Sequence, residues 1–225
     1  MAGLRLRHQH APLAGRRLNV AQIALPLDWP VADRDEDFLI SDSNRAAFEH
    51  LKRWSLWPVM ATLVTGPRKS GRSLLGRLFV RKTGGRLFDN AEDHDEEAIF
   101  HAWNEAQLSR RPLLLVGDAP PPIWQVALPD LRSRLAATPH VALGDPDDRL
   151  IGDLIVKLLG DRGIAIPPEL PAFVVPRIER SYIAVQQVVA ALDRAALSHH
   201  RRMTVAMARR ALSECGMIKR ARSQA

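Results

Sequence analysis

A glycine-rich segment between an apolar run and an amphipathic run constrains the fold of this chain more than any other feature. The segment reads Gly-Pro-Arg-Lys-Ser-Gly-Arg-Ser over residues 66–73. Apolar, partly β-branched residues precede it at 59–64, and residues 73–80 carry apolar side chains at helical spacing. A strand, a glycine-rich turn and a helix in this order are typical of a phosphate-binding loop, whose backbone N–H groups surround a phosphate. We predict such a loop here; the alternative is an ordinary surface turn.

One position of the loop departs from the usual pattern. Where that pattern has lysine, this chain has Arg72, which keeps the positive charge but presents it as a planar fork rather than a compact ammonium. The hydroxyl of Ser73 stands where a magnesium ligand is expected. The candidate nucleotide-binding residues of the loop are Gly66, Pro67, Ser70, Gly71, Arg72 and Ser73.

Length and composition exclude several classes of protein. The chain has 225 residues, enough for one domain with a small companion, and Cys215 is its single cysteine. An internal disulfide and a zinc site built from cysteines are therefore excluded. No apolar run is long enough to cross a membrane and no signal peptide is visible, so we expect a cytoplasmic protein without membrane contact.

Much of the net charge of +7 lies in the two ends of the chain. Residues 1–20 lack periodicity and predict a disordered basic tail, and residues 217–225 predict a second basic tail. Basic tails are often only solvated, but they also allow contact with nucleic acid. DNA contact is therefore one option, and we expect it to be indirect.

Between the tails the pattern of elements changes once. Strands alternate with helices over residues 41–146, which predicts an α/β core with a parallel sheet. Only amphipathic helices follow over residues 147–216, separated by short breaks that contain glycine, proline or histidine. The expected architecture is an α/β nucleotide-binding core followed by an all-α lid.

This layout is that of the AAA+ proteins, and five stretches resemble one family within them, in order along the chain. The stretches are Gln22–Leu27, Asp37–Asn44, the loop at 66–73, Leu131–Leu135 and Ala191–Ala195. Together they are similar to the Hda-like, DnaA-related regulators of bacterial replication initiation, in their alphaproteobacterial form. The resemblance covers residues 20–215.

The resemblance implies that a short peptide docks on the sliding clamp of DNA polymerase III. The peptide lies in a segment, residues 21–40, that also links it to the core. Its glutamine would hydrogen-bond at the rim of a pocket, its leucines would fill apolar pockets, and its proline would limit the freedom lost on binding. The alternating apolar residues would otherwise fit an edge strand. The clamp-binding residues would be Gln22, Ile23, Leu25, Pro26 and Leu27.

The resemblance also implies a role in trans for Arg134. This residue matches the family's arginine finger, a guanidinium presented across a subunit boundary to the phosphates of ATP held by DnaA. A fixed cation there would stabilise the charge that develops on the phosphates. The alternative is that Arg132 and Arg134 are ordinary exposed charges on a short helix.

The candidate pocket departs from the family at several points. Asp89 and Asn90 stand where the family has two acids, so Asp89 can help Ser73 to hold Mg²⁺ but Asn90 cannot act as a base. The stretch before Asp89 is short, so the sheet either lacks one strand or uses residues 85–89 for two roles. Asp118 stands where a residue senses the terminal phosphate, and it has the wrong charge to meet that phosphate directly.

The lid lacks the arginine with which many relatives sense the nucleotide. Ile183 takes its place, and Arg180, three residues earlier, is the candidate substitute. Arg72, Asn90 and Ile183 together argue against tight binding of ADP or ATP with Mg²⁺, the cofactor that the resemblance implies. Loss of two charge-assisted hydrogen bonds corresponds to roughly two to four powers of ten in affinity.

These observations favour an adaptor. We expect the chain to bind the clamp and to promote ATP hydrolysis by DnaA, which would limit replication initiation, with little turnover of its own. The alternatives are a self-contained P-loop ATPase and a basic DNA-binding replication accessory. The sequence leaves the oligomeric state open, with a homodimer as one option.

Overall fold

The computed structural model describes residues 38–199 and 203–218. The predicted clamp peptide and N-terminal tail lie outside these ranges, as does all of the C-terminal tail after residue 218. In the part of the chain that is described, no helix has the length and apolar character needed to span a membrane.

Strands and helices alternate in the first part of the described chain, and only helices follow. The strands are β1 (Ala61–Thr65), β2 (Arg86–Asp89), β3 (Leu113–Gly117) and β4 (His140–Ala142). The helices around them are α1 (Asp42–Lys52), α2 (Arg72–Thr83), α3 (Glu96–Ser109) and α4 (Pro129–Ala137). The later helices are α5 (Asp148–Gly160), α6 (Glu169–Val174), α7 (Tyr182–His199) and α8 (Val205–Glu214). The predicted α/β core followed by an all-α lid is confirmed.

The four strands form one parallel sheet in the order β2-β3-β1-β4. Strand β2 is a single edge strand, so the described sheet is the shortened one rather than one in which residues 85–89 fill two places. In a parallel sheet the carboxyl ends of all strands meet at the same edge. The segments that follow β1, β2 and β3 therefore lie side by side.

Short polar side chains determine where several helices begin. Ser41 precedes α1, and its N–H donates to Asn44 Oδ1 at 2.9 Å while its hydroxyl accepts from the first turn. Asp95 accepts the N–H of Ala98 at 3.2 Å at the start of α3. These caps satisfy N–H groups that have no partner within the helix.

The buried apolar residues form two clusters. Strands β1 and β3 are buried along their whole length in the first cluster, as central parallel strands are. Along the chain this cluster ends at Leu143, and the second begins at Ile151. The second cluster joins the later helices and includes Ile218, which lies beyond α8 and is only 8% exposed. The lid therefore extends into the first residues of the segment predicted as a tail.

A tyrosine ties the lid to the segment after β4. Tyr182, at the start of α7, donates its hydroxyl proton to the carbonyl oxygen of Gly144 at 3.1 Å. The N–H of Gly144 donates in turn to the carbonyl oxygen of Ser43 in α1 at 2.8 Å. Burial raises the pKa of the Tyr182 phenol. The phenol therefore stays protonated and remains a donor in this contact.

Candidate functional site

Candidate residues from three separate segments converge at one edge of the sheet. The glycine-rich loop follows β1, Asp89 ends β2, and Asp118 follows the end of β3. Strand β3 lies between β1 and β2, so the three strand ends are neighbours. This is the edge at which open parallel sheets bind their ligands.

The loop backbone has the curvature of an anion-binding turn. Lys69 and Gly71 have positive φ angles of 68° and 86°, on either side of Ser70. The N–H of Ser70 donates to the carbonyl oxygen of Pro67 at 3.1 Å and closes the turn. Turns that contain left-handed residues form concave nests of N–H groups, which attract anions. The backbone alone is therefore suited to a phosphate.

Arg72 is buried, with 7% of its surface exposed. Its Nη1 donates to the carbonyl oxygens of Gly66 at 2.6 Å and of Gly117 at 2.9 Å. Its Nη2 donates to the carboxylate of Asp118. A buried cation needs such partners because it has lost its hydration. The guanidinium thus joins the start of the loop to the end of β3.

Asp118 is the anion of this cluster. Besides the bond from Arg72, it forms an ion pair with Arg68 of the loop, with 3.5 Å between Oδ2 and Nε. The hydrogen bond from Arg72, reinforced by the charges of both arginines, holds the pKa of the Asp118 carboxyl below its usual range despite some burial. The residue predicted to sense a phosphate therefore pairs with two arginines of its own chain.

The two candidate magnesium ligands contact each other. Ser73 Oγ donates to Asp89 Oδ1 at 2.9 Å, so the two oxygens lie side by side at the start of α2 and the end of β2. Asn90 follows with a φ of 53° and an exposed side chain. Its side-chain amide does not accept a proton near neutral pH, so Asn90 cannot act as a general base. Its place among the nucleotide-binding residues stays a prediction.

Glu92 is a residue of this edge that the sequence pattern did not single out. It lies in the short turn Ala91–Asp93 after β2, and its Oε1 accepts the N–H of Asp118 at 2.7 Å. Its Oε2 is buried and has no hydrogen-bond partner among the described residues. A Cβ on Gly117 would lie 2.8 Å from this oxygen, so the glycine leaves room for the carboxylate. The only indication of this residue in the sequence was the presence of an acid three residues after Asp89.

These contacts do not fit the usual arrangement of a bound nucleotide. The loop backbone and the Ser73–Asp89 pair suit a phosphate with Mg²⁺. The cation at the lysine position is instead bound to protein acceptors. The carboxylates of Asp118 and Glu92 stand at the edge where a terminal phosphate would be sensed, and like charges at close range repel.

Arg134 lies on α4, and its side chain packs on α3. Its guanidinium carbon is 4.8 Å from the ring centre of Phe100 and 4.6 Å from that of Trp103. Its Nε is buried without a hydrogen-bond partner, and no acid in the described part of the chain pairs with the guanidinium. Aromatic faces attract a cation without neutralising it. The guanidinium of Arg134 therefore has aromatic contacts but no acidic partner among the described residues.

Helix α3 also fixes the position of α4. Glu96 accepts the N–H groups of residues 127–128, just before α4, at 2.8 and 2.6 Å. Trp103 Nε1 donates to Thr138 Oγ1 at 3.0 Å, and Thr138 Oγ1 donates to the carbonyl oxygen of Arg134 at 2.8 Å. Both ends of the helix that carries Arg134 are thus bound to the same neighbour. The sequence alone did not indicate that aromatic residues of α3 support an arginine.

Arg132 is the nearest alternative to Arg134, and its environment differs. Its Nε and Nη2 donate to the carbonyl oxygen of Val126 at 3.1 and 2.6 Å. The guanidinium of Arg132 therefore stabilises the segment before α4. Of the two arginines on this helix, Arg134 is the one without a polar partner for its charge among the described residues.

Arg180 makes its contacts within the lid. Its Nε and Nη2 donate to the two carboxylate oxygens of Asp148 at 2.7 and 3.0 Å, and both side chains are exposed. The bond from Arg180 lowers the pKa of the Asp148 carboxyl. Ile183 is 51% exposed on α7. No contact joins Arg180 to the loop residues in the described structure, so its nucleotide-sensing role stays a prediction.

Comparison with known families identifies the lid. Residues 157–212 match the family described as "Hda, lid domain". The match spans α6 and α7 and most of α8, and it begins within α5.

The fold is similar to that of several solved proteins. Domain III of the replication initiation protein DnaA from Thermotoga maritima aligns with a TM-score of 0.66 at 15% identity, covering 82% of this chain and 96% of that one. AMPPCP-bound DnaA from Aquifex aeolicus aligns with a TM-score of 0.53 at 15% identity, covering 70% and 63%. The Thermotoga maritima RuvB Holliday junction branch migration motor aligns with a TM-score of 0.61 at 12% identity, covering 81% of this chain and 72% of that one. At such identities the likeness shows a shared fold, a P-loop core with a helical lid.

Proposed function

We propose that this chain, an Hda-like AAA+ protein related to DnaA, regulates replication initiation by stimulating hydrolysis of the ATP that DnaA holds. The Hda-type lid and the DnaA-like fold support a regulator of replication initiation. The finer proposal depends on one observation. Arg134 is held on two aromatic rings of α3 and has no acidic partner in the described chain.

The environment of Arg134 suits a role across a subunit boundary. Stacking on Phe100 and Trp103 limits the motion of the guanidinium and leaves its charge intact. A cation fixed in this way would stabilise the negative charge that develops on a phosphate in a neighbouring subunit. The ATP and its metal would belong to DnaA, so the proposal requires no nucleotide in this chain's own loop.

The sliding clamp is the second proposed partner. The peptide Gln22–Leu27 combines a hydrogen-bonding residue with two leucines, which is the pattern that supports docking into apolar pockets. Tethering to a clamp on DNA would raise the local concentration of Arg134 near DnaA. Stimulation would then follow the loading of clamps, which limits initiation once replication has begun.

The proposal is tested by measuring the conversion of DnaA-bound ATP to ADP in the presence of the chain and of clamp loaded on DNA. We expect acceleration only when both are present. Leu25→Ala with Leu27→Ala should abolish clamp pull-down and acceleration together. Leu4→Ala with Leu6→Ala changes two leucines at the same spacing in the N-terminal tail and should change neither. Acceleration that does not require the clamp, or no acceleration by the wild-type chain, would rule the proposal out.

A further inference from the structure

Arg72 occupies the loop position whose side chain usually contacts a bound phosphate, but here that side chain binds acceptors of the protein itself. Arg72 donates from one nitrogen to the carbonyl oxygens of Gly66 and Gly117, at 2.6 and 2.9 Å, and from another to the carboxylate of Asp118. Gly66 follows β1, Gly117 is the last residue of β3, and Asp118 follows it. In nucleotide-binding loops the ligand is the group that such segments share.

We propose that Arg72 takes the place of a nucleotide in this loop, by bridging the segment after β1 and the end of β3 from within the chain. The loop then keeps its folded conformation without ADP or ATP. The inference is independent of the role of Arg134, because it concerns only the chain's own pocket.

The chemistry of the side chain explains why arginine, and not lysine, builds this bridge. A guanidinium holds five N–H donors in one plane, so two of its nitrogens reach three acceptors on two segments. A lysine ammonium is a single, strongly hydrated centre on a shorter chain. Lysine at residue 72 would lose part of the bridge and would be free to meet a phosphate.

Charge around the bridge also opposes a nucleotide. If a polyphosphate drew Arg72 away, the carboxylate of Asp118 would lose its buried partner and face the phosphates. Glu92, whose Oε2 is buried without a partner among the described residues, would face them as well. Arg68 pairs with Asp118 at 3.5 Å, but its side chain is 78% exposed, so water weakens its attraction for the Asp118 carboxylate. Binding a nucleotide would therefore require the loss of contacts and the approach of like charges.

The experiment compares wild-type protein with Arg72→Lys by calorimetric titration and thermal unfolding, using ADP with Mg²⁺ as the probe. Wild-type protein should give no binding heat and no change in Tm at millimolar ADP. Arg72→Lys should unfold at a Tm lower by about 4 °C or more, and ADP should raise that Tm again with a measurable Kd. Arg149→Lys, at an exposed residue paired with Asp153 at 3.8 Å, is the matched control and should behave as wild type.

Micromolar binding of ADP to the wild-type protein would overturn the proposal, as would an unchanged Tm in Arg72→Lys. Failure of Arg72→Lys to fold would support the bridge. In that case Asp118→Asn tests the bridge, since it removes the negative charge and keeps a side chain of nearly the same shape. A lower Tm of this variant supports the bridge, and an unchanged Tm overturns it. These variants keep Arg134 and the clamp peptide, so stimulation of DnaA remains a separate readout of the proposed function.

Discussion

Two arginines of this chain have opposite environments. Arg72 is buried against two carbonyl oxygens and one carboxylate, so its charge is compensated within the protein. Arg134 rests on two aromatic rings and has no acidic partner in the described part of the chain. We therefore propose that the first cation stabilises the fold and that the second acts on a partner.

The ion pair of Asp118 predicts a dependence of stability on pH. Its carboxyl pKa in the folded protein lies below the value of about 4 in the unfolded chain. The pair therefore stabilises the fold above pH about 4, and this contribution is lost as pH falls through the folded pKa. The groups that face Asp118 are Arg72, Arg68 and Glu92.

Asp118→Asn should accordingly unfold at a lower Tm than wild type at neutral pH, and the difference should narrow below pH about 4. The measurement is Tm for both proteins from pH 7 to strongly acidic pH. A difference that stays constant over this range would show that ionisation of Asp118 does not contribute to the fold.

At the scale of elements, α3 determines where α4 and its arginine lie. The buried Trp103 donates its indole N–H to Thr138, at the end of α4, and its ring lies under the Arg134 guanidinium. Trp103→Phe keeps an aromatic ring but leaves the indole's hydrogen bond unmade. We expect the free energy of unfolding to fall by about 1–3 kcal/mol, measured by urea denaturation.

A matched control for this change is Trp54→Phe. The indole of Trp54 is half-buried and makes no hydrogen bond to the described residues, so its replacement should cost less. Equal losses of stability in the two variants would contradict a specific role for the bond between Trp103 and Thr138.

The loop between β1 and α2 is packed more tightly than a surface turn. A Cβ on Gly66 would lie 2.9 Å from Leu143 Cβ and 3.0 Å from the Leu143 carbonyl oxygen. Gly66→Ala should therefore lower the free energy of unfolding by about 1–3 kcal/mol. Gly160→Ala, at the end of α5 with no atom within 4 Å of the added carbon, should be neutral or stabilising by up to about 1 kcal/mol. Urea denaturation of both variants decides, and equal effects would contradict tight packing at Gly66.

For the whole molecule, periodicity predicted the order of elements well. In the described residues, four β-strands and eight α-helices lie close to the runs that alternate or repeat with helical spacing. These features depend on neighbouring residues in the chain, so local patterns carry them. The two apolar clusters separate after Leu143, and the domain boundary near residue 146 stays a prediction.

The sequence did not predict the partners of site residues from distant segments. Arg72 and Asp118 are far apart in the chain, and their contact depends on the order of the strands. The support of Arg134 by Phe100 and Trp103 depends likewise on how α3 and α4 pack. Glu92 lacked any pattern of its own and was identified by its contact with Asp118. Motif spacing identifies the residue types of a site, and tertiary packing decides which of them meet.

The central claim is that Arg134 acts on ATP held by DnaA, and single-turnover hydrolysis by DnaA with clamp-loaded DNA tests it most directly. Arg134→Ala should bind the clamp normally but return hydrolysis toward the unstimulated rate, a loss of about a thousandfold or more. Arg132→Ala removes the same charge from the same helix and should retain stimulation, because Arg132 is bound to Val126. If Arg134→Ala stimulated hydrolysis by DnaA as strongly as the wild-type chain does, the claim would be contradicted.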